Sequence, residues 1–342
     1  MTINAAYYCG DKRFTVEQIT APAPKPGEVQ IDIAYCGICG TDLHVYLGHM
    51  DARIGNHRVI GHEMSGRVAA LGEGVSGFEV GQKIVVRPLD HCGDCPACDA
   101  GHQHICHNLK FLGLDTDGAF QQKWSVPAHT LHALPKDMPL DHAALVEPLA
   151  VATHDVRRAG LKPDEDVLVI GGGPIGMLVA LAAKQTGANV MISEVNEHRL
   201  ALAKELGFAV INPKSSDAVA AVNAATNGKG ADVVFEVSGT QPGVDLMTAA
   251  AATRGRICMV AIHASKPQID LFQFFWRELE MVGARVYEPR DYDQAIAWLS
   301  NGIGAERLIT DVKSLTDIQA AFDALTQVPN SMKTLICVTE DL

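Results

Sequence analysis

Four cysteines, Cys92, Cys95, Cys98 and Cys106, are separated by two, two and seven residues. Thiolates grouped this closely in a long chain are ligands for a metal ion. A closed set of four suits a structural zinc in tetrahedral sulfur. Gly93, Pro96 and Gly101 suit a loop folded around an ion. An iron–sulfur cluster, a nucleic-acid zinc ribbon and free thiols are the other readings of the same spacing. Asp90, Asp94 and Asp99 surround the cluster and argue against nucleic acid. The neighbouring His102, His104 and His107 are expected to face solvent.

A second constellation lies in GICGTDLH, residues 37–44, and GHE, residues 61–63. A catalytic zinc takes three protein ligands and leaves a fourth position open. Cys39, His62 and a carboxylate would supply the three. Glu63, next to His62, and Glu147, in an EPLA segment, compete for the third place. Asp42 can hydrogen-bond the free ring nitrogen of His62 and fix its tautomer. Thr41 and His44 offer a hydroxyl and an imidazole that can carry an alcohol proton outward. Cys36 reads as a small core residue.

The third motif, GGGPIG, occupies residues 171–176, directly after an apolar strand and at the start of a helix. Gly171 allows the tight turn, Gly173 lets backbone approach a pyrophosphate, and Gly176 lets the helix pack against the strand. Pro174 and Ile175 complete the loop, and the helix N-terminus faces the phosphates. Glu194 ends the next strand, where a carboxylate holds both ribose hydroxyls and repels a 2′-phosphate. That favours NAD over NADP. Arg199 is placed either to stack near the adenine or to lie on a solvated helix face.

The elements that must position these residues fall into two textures. Short strand-like runs at 28–34, 66–71 and 83–87, broken by Gly and Pro, indicate a β-rich first domain. An Ala-rich helix over 139–160 follows. Strands at 166–170, 189–193, 232–237 and 256–261 then alternate with helices, including one at 197–206, as in a doubly wound parallel α/β sheet. Helices at 293–301 and 314–327 and a last strand at 334–338 have no core of their own and are expected to return to the first domain. The expected domains are 1–150, 151–289 and 290–342.

Composition agrees with two globular domains: 342 residues, 47% hydrophobic and 20% charged. A formal charge of −12 with no basic run excludes tracking of a phosphate backbone. The most apolar stretch, residues 174–183, is too short to span a bilayer. The first residues lack a signal-peptide pattern, so the expected compartment is the cytoplasm.

In order and spacing, GICGTDLH, GHEMSG, the four-cysteine lobe, LVEPLAVATH and VIGGGPIGM make the chain resemble the zinc-containing medium-chain dehydrogenase/reductase family over essentially its whole length. The polyol (sorbitol), butanediol and threonine dehydrogenases are the subgroups it is most similar to. The resemblance implies a GroES-like catalytic domain around a Rossmann domain, with a catalytic zinc in the cleft between them, a structural zinc and NAD. It implies Cys39 and His62 as zinc ligands and leaves Cys36 out. It also implies that Thr41 passes the substrate proton through the cofactor ribose to His44. Glu147 stands where alcohol dehydrogenases place a second cysteine. Glu63 and Glu147 are expected to exchange at the metal during turnover.

The implied reaction is hydride transfer from a secondary alcohol to NAD, the substrate being a small polyol, vicinal diol or sugar-like molecule. L-Threonine 3-dehydrogenase, a reductase working on carbonyls, and a non-enzymatic NAD- or zinc-binding protein are the alternatives. A proton relay speaks against the last. Tyr46, Phe111, Phe120, Arg285 and Tyr287 are candidates for the pocket wall. No nucleic-acid or membrane partner is expected. The resemblance implies a homotetramer, with a dimer as the alternative, built by extending the Rossmann sheet through a strand at 280–287.

Overall fold

A computed structural model describes residues 1–327, 330–340 and 342. The chain divides into two compact units. Met1–Glu147 and Glu288–Leu342 form the first, and Pro148–Tyr287 form the second.

The first unit is β-rich. A seven-stranded sheet runs in the order Leu131–Ala133, Lys83–Val86, Glu63–Leu71, Glu28–Gly37, Lys333–Cys337 and Ile309–Ser314, with Lys123–Pro127 also paired to Glu28–Gly37. The long central strand is buried on both faces, with Val29, Ile31, Ile33, Ala34 and Cys36 at 1% exposure or less. Cys36 is therefore core. The last strand pairs antiparallel with it, Leu335 opposite Gly37 and Ile336 opposite Cys36. The C-terminal segment thus completes the sheet that carries the second metal constellation.

An aromatic cluster seals this unit. Phe322, on the helix Ile318–Gln327, lies 4.6 Å from Phe14 and 5.2 Å from Tyr46 between ring centroids. Tyr46 also donates to Asp323 Oδ1 at 2.5 Å. Tyr46 and Phe120 are 2% and 0% exposed, so both belong to the core.

The single helix expected over 139–160 is two helices, Leu140–Ala143 and Val146–Arg158. Pro148 explains the break. It has no N–H to donate back to residue 144, and the interruption leaves it in the first turn of the second helix, where that donor is not needed.

The second unit is a six-stranded parallel sheet in the order Ala209–Ile211, Asn189–Ser193, Asp166–Ile170, Ala231–Glu236, Ala251–Met259 and Glu280–Gly283. In sequence terms this is the order 3-2-1-4-5-6 of a doubly wound dinucleotide fold, whose ligands bind at the carboxyl ends where the winding reverses. The helix Pro174–Gln185 is buried along most of its length, from Gly176 through Ala183. The edge strand expected over 280–287 stops at Gly283. Val286 has φ of +50°, which a β-branched residue in an extended strand does not adopt.

Replacing Phe322 with alanine removes a wholly buried ring between Phe14 and Tyr46. A loss of about 3–5 kcal/mol is expected in urea unfolding. A loss below about 1 kcal/mol would mean that the C-terminal helix is not anchored by this cluster.

Candidate active site

The second metal constellation sits where a helix begins. Cys39 is the N-cap of Gly40–Tyr46, its sulfur accepting the Thr41 N–H at 3.2 Å and its own N–H donating to Asp42 Oδ2 at 3.0 Å. The Cys39 sulfur lies 3.2 Å from His62 Nε2. On the other side of that ring, Nδ1 lies 3.6 Å from Asp42 Oδ1, and neither atom has a hydrogen bond. Asp42 faces the nitrogen it was expected to fix, at a separation longer than a hydrogen bond. Phe111 packs edge-on to the imidazole, centroids 5.1 Å apart.

This donor set fits a soft divalent cation. The Cys39 sulfur, an imidazole nitrogen of His62 and a carboxylate oxygen of Asp42 all lie within 4.8 Å of one another, with Asp42 and His62 buried and Cys39 half-buried. Burial, then the carboxylates of Asp42 and Glu63, push the Cys39 thiol well above its ordinary range. A bound cation reverses that balance and stabilises the thiolate.

Glu63 does not join that set. Its two carboxylate oxygens accept from Lys333 Nζ at 2.8 and 2.6 Å, and the same ammonium donates to Ile38 O at 3.3 Å. All three ammonium protons thus find acceptors. The register explains the meeting. Glu63 lies opposite Gly37 on one side of the central strand, and the last strand runs along the other. A Cβ on Gly37 would stand 2.3 Å from Glu63 Oε2, so only glycine leaves the glutamate room. Glu63 and Lys333 are 1% and 3% exposed. Burial pulls the lysine pKa down, but Glu63, with Cys39 and Glu147 adding to it, outweighs burial and holds it above its ordinary value. Glu147 is buried at the start of the helix Val146–Arg158. Thr41 is half-buried, and His44, in the last turn of its helix, is exposed.

The four-cysteine lobe is drawn into one cluster. Cys92 and Cys106 sulfurs are 3.4 Å apart, Cys95 and Cys98 are 3.6 Å apart, and Cys95 and Cys106 are 3.8 Å apart. A tetrahedron with metal–sulfur bonds of ~2.3 Å has edges of ~3.8 Å, so the set fits zinc. Backbone N–H groups of Cys92, His107 and Asn108 point at these sulfurs. The His107 N–H is the leading cause that lowers the Cys95 thiol to about 6. One expectation needs correction. His102 and His107 are exposed, but His104 is 8% exposed, because it sits on the short turn Gln103–Ile105 that closes the lobe.

In the second unit, the glycine loop lies at the reversal of the winding. Gly171 has φ of +102°, and a Cβ there would stand 3.0 Å from Ser238 N. Gly173 is the N-cap of the helix that Pro174 and Ile175 begin. A Cβ on Gly176 would lie 1.8 Å from Gly171 O. Glu194 Oε2 accepts the Gly172 N–H at 2.8 Å, and Oε1 accepts from Val195 and Asn196 N–H at 2.6 and 2.8 Å. Arg199 reaches Glu194 at 3.8 Å and lies beside Gly173.

Sequence reasoning missed Lys333 and Glu236. Glu236, wholly buried at the end of its strand, accepts from Ser238 and Gly239 N–H and faces His263 Nε2 at 3.4 Å. An acid ending an apolar strand before Ser-Gly was the available signal. For Lys333 it was a lone charge inside MKTLIC. Phe111 stands at the metal constellation, Tyr46 and Phe120 are core, Tyr287 is buried and Arg285 is exposed.

Residues 25–136 match the alcohol dehydrogenase GroES-like domain, and residues 174–301 match the zinc-binding dehydrogenase domain. The chain is 55% identical to a 2-dehydro-3-deoxy-L-galactonate 5-dehydrogenase from Pseudoalteromonas atlantica, over 97% of this chain and 98% of that one. The chain belongs to the zinc-containing medium-chain dehydrogenase/reductase family. It is also 39% identical to an L-threonine 3-dehydrogenase from Pyrococcus horikoshii, over 74% of each chain. The crystal structure of 2R,3R-butanediol dehydrogenase from Bacillus subtilis superposes with a TM-score of 0.90 at 32% identity, covering 98% of this chain and 99% of that one. Like these family members, the chain is an α/β dehydrogenase with a GroES-like and a Rossmann domain. Among the described residues, no helix is long and apolar enough to cross a membrane.

The buried pair generates a test. Lys333→Met leaves Glu63 buried without its partner and is expected to cost about 3–5 kcal/mol in denaturant unfolding. Adding Glu63→Gln should recover most of that loss. A single variant as stable as the parent would show that the pair carries no weight.

Proposed function

We propose that the chain is an NAD-dependent, zinc-requiring dehydrogenase of a secondary hydroxyl on a sugar-acid or polyol substrate. The observation that carries the substrate class is the 55% identity, over nearly the full length, to a sugar-acid 5-dehydrogenase. The four-cysteine cluster and the meeting of Cys39 with His62 support two zinc ions per chain, one structural and one catalytic. Glu194 supports NAD, because a buried carboxylate at the end of its strand repels a 2′-phosphate.

Cys39 and His62 would hold the catalytic zinc, with a carboxylate as third ligand. Glu147, close enough for its charge to raise the pKa of Lys333, is our candidate at rest, while both oxygens of Glu63 accept from Lys333. When bound, zinc supplies Lewis acidity toward the substrate hydroxyl and NAD accepts the hydride. Asp42 steadies the His62 ring from behind. The Thr41 hydroxyl accepts the substrate proton, and the exposed His44 imidazole carries it outward. Phe111 packs edge-on against His62 and restricts the tilt of its ring. Cys92, Cys95, Cys98 and Cys106 would hold the second zinc and do no chemistry.

The same reading includes a soluble cytoplasmic homotetramer, with a dimer as the alternative. Phe272, Phe275 and Trp276 are 60–77% exposed on the helix Leu271–Arg277, close in sequence to the edge strand Glu280–Gly283. Apolar surface of this size beside an open edge supports self-association.

The test is NADH formation with a panel of sugar acids, polyols, vicinal diols and L-threonine, with and without chelator. A 2-keto-3-deoxy sugar acid with a free 5-hydroxyl should be oxidised fastest. NAD should be preferred to NADP, and activity should fall on chelation. Preference for L-threonine would replace the substrate class. Undiminished activity after zinc removal would overturn the metal reading.

A further inference from the structure

Beyond His44, the geometry points to His49 as the next station for the proton, a positioning residue that fixes the His44 tautomer and carries its charge to water. This inference rests on the relay role of His44 proposed above. The two imidazoles meet Nδ1 to Nδ1 at 3.1 Å, with ring centroids 5.4 Å apart, and both side chains are exposed. A hydrogen bond between two ring nitrogens needs one protonated and one bare, so the contact sets both tautomers together.

The local sequence builds the contact. The helix Gly40–Tyr46 ends in a paired closure in which the His49 N–H donates to His44 O at 3.0 Å and the Gly48 N–H donates to Val45 O at 2.9 Å. That is the Schellman arrangement, and it requires a left-handed residue, here Gly48 with φ of +81°. It sets the side chain after the glycine against the one in the last turn. That pair is often apolar; here both members are histidines. The helix that starts at Cys39 therefore ends by clamping the relay imidazole.

The proton balance closes with no further reactant. His44 begins with its hydrogen on Nδ1, donated to His49 Nδ1, and with Nε2 bare. Nε2 takes the incoming proton, and the Nδ1–H bond breaks as that hydrogen passes to His49 Nδ1. His49 then releases its own Nε2 hydrogen to water. One proton enters, one leaves, and both rings end neutral. Exchange with solvent at these exposed rings restores the starting tautomers.

The experiment compares His49→Leu, His49→Asn, His44→Gln and the double variant His44→Gln/His49→Leu in the zinc-loaded enzyme. Steady-state kinetics are read with and without added imidazole, and the His44 tautomer is read from nitrogen-15 spectra. His49→Leu should lower kcat about tenfold at nearly constant KM, the loss usual for removing a partner that orients a working histidine. Imidazole should restore it. His49→Asn, whose amide oxygen can accept from His44, should keep the Nδ1–H tautomer yet still lose kcat. The double variant should be no worse than His44→Gln. Wild-type kcat in His49→Leu beside an impaired His44→Gln would overturn this inference and leave the relay reading standing. Losses that multiply in the double variant would also overturn it. An unimpaired His44→Gln would remove the relay reading itself.

Discussion

A buried ammonium and a buried carboxylate fix the geometry around Cys39 and His62. Lys333 comes from the last strand and Glu63 follows His62 directly, and they meet across the central strand at Gly37 and Ile38. Neither charge can be left alone in so dry a place. The pairing therefore ties the end of the chain to the strand that presents His62. It also occupies both oxygens of one of the two carboxylates near the site. Glu63 is engaged there, and the third place beside Cys39 and His62 is proposed for Glu147, at the start of its helix.

The same economy governs the rest of the constellation. One short helix has Cys39 as its N-cap, Thr41 and Asp42 in its first turn and His44 in its last. The residues proposed as ligand, proton acceptor, imidazole support and relay thus share a single short element, and a Schellman closure sets its far end. In the second unit the divided winding puts the glycine loop, Glu194 and Glu236 at the carboxyl ends of neighbouring strands. There, backbone N–H groups are already organised by carboxylates.

The motifs and the alternation of elements were legible in the sequence because each depends on local chemistry. Cysteine spacing, a glycine loop between strand and helix, and an acid at a strand end all act over a few residues. What was not legible depended on register between distant strands. Nothing near Glu63 announces that Lys333, hundreds of residues away, will take both its oxygens. The contest between Glu63 and Glu147 therefore stayed open in the sequence. Tyr46 and Phe120 read equally as pocket or core until the C-terminal helix placed Phe322 among them. The burial of His104 depends on how the cysteine lobe closes, and Pro148 split a helix that composition alone made continuous.

The most direct test of this account is the zinc content of Glu147→Ala, purified beside the wild-type chain and read by mass spectrometry of the metal. The four-cysteine site should stay filled while the Cys39–His62 site empties, so the ratio should fall from about two zinc ions per chain to about one. An unchanged ratio would contradict the assignment of Glu147 and return the third place to Glu63.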